Sequence, residues 1–142
     1  MKDVNAYLVF DGNCRQAMNF YEKCLSAKAF FMPFSETPCQ APSEAKDRIA
    51  HAHLAKGSAV LMASDTMPGM PYHAGNNFHV ALACESAEEI ETLFQAFSEN
   101  GKVHLPLHDA FWGARFGMLT DQFGINWMFS YDRHKQQDVA GN

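Results

Sequence analysis

The chain has 142 residues, of which 47% are hydrophobic and 19% charged, and a formal net charge of -5. That length and composition suit one globular domain with a substantial core and exclude a disordered chain. No run of Lys or Arg forms a basic stripe and no apolar run approaches the ~20 residues that span a bilayer, so neither a nucleic-acid nor a membrane partner is expected.

Val4–Phe10 reads as a strand, and Asp11-Gly12-Asn13 as a turn that starts a helix. Ala17, Phe20, Tyr21, Cys24 and Leu25 recur at i, i+3, i+4, i+7 and i+8, the apolar stripe of a helix lying on a sheet. Lys28–Phe34 is a second strand. Ser35–Asp47 holds two prolines among small polar and charged residues and reads as a loop. Arg48–Ala55 and Ser58–Ser64 are two further strands joined tightly at Lys56-Gly57. Asp65–Asn77, with two prolines and two glycines, reads as a linker.

The same order then returns. Phe78–Cys84 is a strand. Ser86 followed by Glu89 forms a capping box, Ile90, Leu93, Phe94 and Phe97 make a buried stripe, and Gly101 is the expected C-cap. Strands follow near Lys102–Leu107, Phe111–Leu119 and Ile125–Tyr131, with Asp121 fixing a turn before Gly124. His134–Asn142 is polar and is expected to fray. The chain is therefore expected to be an α+β domain of two βαβββ modules. Their first strands are offset by about 74 residues and their last strands by about 66. The expected organisation is one domain over 1–142: module one at about 4–64, a linker at 65–77, module two at about 78–131 and a polar tail at 132–142. The N-terminal stretch lacks the features of an export signal, and the four cysteines (Cys14, Cys24, Cys39, Cys84) form no C-x-x-C pair. Reduced thiols in a cytoplasmic protein are the expectation.

Three segments carry a family resemblance. They are Tyr7-Leu-Val-Phe-Asp-Gly-Asn-Cys14 leading to Phe20-Tyr21; Ile49-Ala-His-Ala-His53 leading to Ser64-Asp-Thr-Met-Pro68; and Phe111-Trp-Gly-Ala-Arg-Phe-Gly117 leading to Asp121-Gln-Phe-Gly-Ile-Asn-Trp127. Together with the tandem modules they resemble the vicinal oxygen chelate superfamily of glyoxalase I, bleomycin-resistance proteins and extradiol dioxygenases. Within it they resemble the PhnB-like branch, often labelled 3-demethylubiquinone 3-methyltransferase-like. The resemblance implies curved mixed sheets with helices on the convex side, concave sides enclosing a pocket, and a homodimer. It also implies, for the metalloenzymes of the superfamily, a divalent ion held by His, Gln or Glu on the first and fourth strands of each module.

Those positions fall near Asn5, on Met62, on His79 and on Met128. Thioethers are soft, neutral ligands and poor partners for Mg²⁺, Mn²⁺, Ni²⁺ or Zn²⁺. Met62 and Met128 thus remove both expected carboxylates, and no bound cofactor is expected at the usual site. The sequence favours a protein that binds a small, partly apolar molecule in a metal-free pocket. Its expected ligand-binding residues are Asn5, Tyr7, Met62, His79, Trp112, Arg115 and Met128, with no catalytic residue assigned. His79 is either the surviving ligand or acid/base group, or a half-buried structural histidine. Trp112 is either a stacking wall or packing, and Arg115 either clamps an anionic group or pairs with a surface carboxylate. His51 and His53, two apart on a strand, share one face and with His79, His104 or His108 could hold zinc. The alternative function is accordingly a metal-dependent lyase, isomerase or dioxygenase built on a noncanonical histidine site. No G-x-S-x-G elbow or Gly-rich phosphate loop is present, so hydrolase and methyltransferase chemistry find no support.

Overall fold

The computed structural model describes residues 1–133, so nearly all of the expected polar tail lies outside the described residues. The chain divides into two compact units, Met1–His73 and the stretch from Ala74 onward. In the first, β1 (Ala6–Phe10), α1 (Cys14–Leu25), β2 (Ala29–Pro33), β3 (Ile49–Lys56) and β4 (Ala59–Asp65) follow in chain order. In the second, β5 (Val80–Cys84), α2 (Ala87–Phe97), β6 (Lys102–Asp109), β7 (Ala114–Thr120) and β8 (Asn126–Asp132) repeat that order. Each unit forms a four-stranded mixed sheet, ordered β1-β4-β3-β2 and β5-β8-β7-β6. The first and last strands of each unit pair in parallel, and the other neighbours are antiparallel. The expected tandem βαβββ architecture is the one found.

Alternation along the strands separates two faces of each sheet. In the first unit Leu8, Phe10, Ala52, Leu54, Leu61 and Ala63 are buried on the side that carries α1. The buried stripe of α1 is Cys14, Ala17, Met18 and Tyr21, one position round from the expected one: Phe20, Cys24 and Leu25 are only half-buried. In the second unit Ile90, Phe94 and Phe97 are buried as expected, with Leu93 half-buried. Phe97 meets Trp127 edge-on at 4.7 Å between ring centroids, and Phe94 and Phe97 each meet Phe129 at 5.3 Å. Offset and edge-to-face rings of this kind supply much of the apolar burial of so small a core.

Two boundaries differ from expectation for local reasons. β7 starts at Ala114, because Ala110–Gly113 is a turn: Ala110 N donates to Ala114 O at 2.8 Å and Gly113 takes φ +94°. The expected C-cap, Gly101, is not where the chain turns left-handed; that residue is Asn100, at φ 56°. Gly101 is required instead by close approach, since a Cβ there would lie 2.5 Å from Thr120 O.

Candidate functional site

Register places the expected site positions on the sheet faces that the helices leave open. In the first unit Tyr7 pairs with Met62, Met62 with His53, and His53 with Phe30, so these four side chains form one row across the sheet. Met32 pairs with His51 one row further along. The Tyr7 hydroxyl reaches His51 Nδ1 at 3.3 Å, with the two rings 5.9 Å apart. Tyr7, Val9, Phe30 and Met32 are 45%, 45%, 60% and 38% exposed, an unusual load of apolar surface for one sheet face. Asn5 lies just ahead of β1, exposed, and donates to Asp3 Oδ1 at 3.0 Å. His51 and His53 do share a face, as their spacing implies. Each has one methionine as a cross-strand neighbour, Met32 for His51 and Met62 for His53, while His79, His104 and His108 belong to the other unit.

The second unit repeats the pattern with smaller groups. Met128 pairs with Ala81 on one side and Met118 on the other, and His79 lies just ahead of β5, half-buried. A polar chain runs beside them. Thr120 Oγ1 donates to Asn126 Oδ1 at 2.7 Å and so accepts from His104 Nε2 at 2.7 Å, while Asn126 Nδ2 donates to Gly75 O at 3.1 Å. His108 is held by Pro106 O at 3.0 Å. Trp112 sits on the β6–β7 turn, half-exposed, with its ring edge-on to Phe116 at 5.6 Å. The expected clamp Arg115 is not on the open face. It pairs in register with the buried Tyr131, on the α2 side, where Glu91 Oε1 accepts at 2.6 and 2.8 Å and Asp109 Oδ1 at 3.2 Å. The Glu91 bond, and then Asp109, raise the Arg115 pKa further. Of its two sequence readings, the ion pair is the one observed.

Sequence reasoning missed Phe30, Met32, Phe116 and Met118 as open-face residues. Alternation would have offered two faces for each strand, but only register chooses between them. The thiols of Cys14 and Cys84 face the cores, and burial pushes both up to about 12, so neither is a nucleophile. Asp121 accepts from Phe123 N, Ile125 N and Trp127 Nε1 at 2.8, 3.1 and 2.8 Å, a turn-fixing role as expected.

The donor set does not fit a hard divalent ion. The two fourth-strand positions are thioethers, and no three His, Cys, Asp or Glu side chains gather among the described residues. What the elements define is a protein of paired βαβββ units, each with one helix-covered and one open sheet face. Residues 3–129 match the model of the Glyoxalase/Bleomycin resistance protein/Dioxygenase superfamily, and the chain belongs to that superfamily. It is 32% identical over 139 residues to Protein YjdN of Escherichia coli strain K12, covering 89% of this chain and 93% of that protein. The crystal structure of protein PA1353 from Pseudomonas aeruginosa is 41% identical, with a TM-score of 0.85 over 93% of this chain and 98% of that one. The putative 3-demethylubiquinone-9 3-methyltransferase, PhnB protein, from Bacillus cereus shares the fold at 21% identity. Its TM-score is 0.74 over 92% of this chain and 99% of that one. The PhnB-like resemblance read from the sequence agrees with these relatives. Among the described residues, no helix is long and apolar enough to cross a membrane.

Proposed function

We propose that the protein binds a small, partly apolar molecule against its open sheet faces, as a homodimer in the cytoplasm, without a hard divalent metal. The observation that carries this reading is the matched placement of Met62 and Met128. Each sits on the fourth strand of its unit, opposite the first, where a metalloenzyme of this superfamily needs an anionic ligand. Flexible thioethers there favour an apolar ligand surface over ion coordination. On the first unit's face Tyr7 adds a polar group that would orient a ligand; on the second unit's face His79 adds another, and Trp112 a ring on which to stack a ligand. The exposed Phe30, Phe111 and Trp112 support association with a second copy. Four cysteines with no C-x-x-C pair among them support a reducing compartment. The methyltransferase activity in the Bacillus cereus protein's name finds no cofactor crevice of the doubly wound kind here.

The test uses 1-anilinonaphthalene-8-sulfonate as an apolar probe. Saturable binding is expected, weakened by Met62→Glu and Met128→Glu while the far-ultraviolet circular dichroism is unchanged. Equimolar zinc, nickel or manganese in protein purified without added metal, lost on His79→Ala, would overturn the reading.

A further inference from the structure

The chemistry that disqualifies Met62 for a hard ion suits a soft one. On the open face of the first unit, Met32 lies across from His51 and Met62 across from His53. His51 and His53 are two apart on β3, so both imidazoles leave the sheet on the same side. Directly paired residues place their Cβ atoms about 5 Å apart, so each imidazole on β3 has one thioether beside it, Met62 from β4 on one flank and Met32 from β2 on the other. All four side chains are partly exposed, so an ion can reach them. Among the described residues, neither histidine takes part in an ion pair; the ion pair found in the first unit joins Arg48 to Asp11.

We propose that His51, His53, Met62 and Met32 form a binding site for a soft monovalent ion, Cu(I). Thioether and imidazole donors together select Cu(I) over Mg²⁺, Mn²⁺ or Ca²⁺. Tyr7 serves as the positioning residue. With Nε2 on the ion, His51 Nδ1–H donates to the Tyr7 hydroxyl across the 3.3 Å contact, which fixes the tautomer and the ring plane. The site goes beyond the ligand-binding reading above: it lies on β2, β3 and β4 of one unit and makes no use of His79 or Met128.

The experiment is Cu(I) competition against bicinchoninate under anaerobic conditions, with the full chain carrying Cys24→Ser and Cys39→Ser. These two changes remove the thiols that are not buried. One Cu(I) per chain is expected to remain on the protein. His51→Ala and His53→Ala are each expected to abolish retention, and Met62→Leu and Met32→Leu to weaken it. Tyr7→Phe is expected to weaken it roughly 10-fold, the usual effect of losing a partner that orients a ligand. A hydrophobic swap of similar volume leaves the fold intact, so the methionine variants separate ligation from unfolding. Loss of retention on the cysteine changes alone, or retention unaffected by both histidine variants, would overturn the proposal. So would Zn²⁺ binding as tightly as Cu(I), or no response to either methionine change. The probe-binding test above stands or falls separately, because Met128→Glu is read there and plays no part here.

Discussion

The two units build the same start of a helix by different means. α2 is capped from next door: Ser86 Oγ accepts from Glu89 N at 3.0 Å, and Glu89 Oε1 accepts from Glu85 N at 2.9 Å. At the start of α1, Asn13 makes no side-chain cap bond. The acceptor is instead Asp65 at the far end of β4, whose Oδ1 takes Gly12 N at 2.9 Å and Cys14 N at 3.0 Å, while its Oδ2 takes Ile49 N at 2.9 Å. One buried carboxylate thus ties the β1–α1 turn and the start of β3 to the last strand of its unit. The register-matched position in the second unit, opposite Cys84 as Asp65 is opposite Phe10, is Tyr131. Its hydroxyl is buried and meets no hydrogen-bond partner among the described residues. That unit keeps its buried carboxylate at the opposite end of the sheet, as Asp121 in the β7–β8 turn. A repeated architecture therefore does not repeat its polar supports. Each unit needs one buried acceptor for otherwise orphaned N–H groups, and each places it where its own turns leave them.

The largest effect that would break this comparison comes from Asp65→Ala. It strands three backbone donors in or beside the core, at ~1–3 kcal/mol each, so a loss of at least ~3 kcal/mol is expected in urea denaturation. A loss under ~1 kcal/mol would mean that the remote cap is dispensable. Asp121→Ala should cost less, about 2 kcal/mol, because its two turn donors are only part-buried and water can replace the carboxylate there. The emission of the buried Trp127, isolated in a Trp112→Phe background, should shift as its Nε1 loses its acceptor. An unshifted spectrum would argue against the bond.

Ser86→Ala should cost ~1 kcal/mol, the ordinary value of a local cap, while Asn13→Ala should be close to neutral. Equal losses from the two would erase the distinction between local and remote capping. The smallest effect is expected for Tyr131→Phe, which removes an unpartnered buried hydroxyl and should leave stability unchanged or raise it by under ~1 kcal/mol. A clear loss in the same denaturation measurement would show that the hydroxyl is satisfied after all.

The division between what the sequence disclosed and what it hid follows interaction range. Ser86 and Glu89 announced their cap because both partners lie within one helical turn, and Asp121 announced its turn because Gly124 closes it three residues on. Asp65 gave no local sign, since its partners lie 16 to 53 residues away. Arg115 kept two readings, clamp and surface ion pair, because its strand neighbours on the same face, Gly117 and Leu119, do not reveal which side faces α2. Gly117 has no side chain to show it, and a Cβ there would lie 2.8 Å from Phe94 Cε2. The open-face positions Met62 and Met128 were legible from the family pattern. Met32 and Met118, on the same open faces, needed register, which the long β2–β3 loop and the irregular β6–β7 pairing keep out of the sequence.

The parallel pairing of β1 with β4 also sets a schedule. β4 is flanked by β1 on one side and β3 on the other, so β1 has no strand partner until β4 exists. During synthesis the first five strand residues, Ala6–Phe10, therefore wait unpaired while more than half of their unit is still being made. Asp65, the last residue of β4, arrives at the moment that lets the N-terminal turn lock. Non-local closure of this kind is slow, and leaves a strand edge open meanwhile. In refolding of the full chain followed by pulsed hydrogen exchange, the amides of Leu8–Phe10 should gain protection together with those of Leu61–Ala63 and not before them.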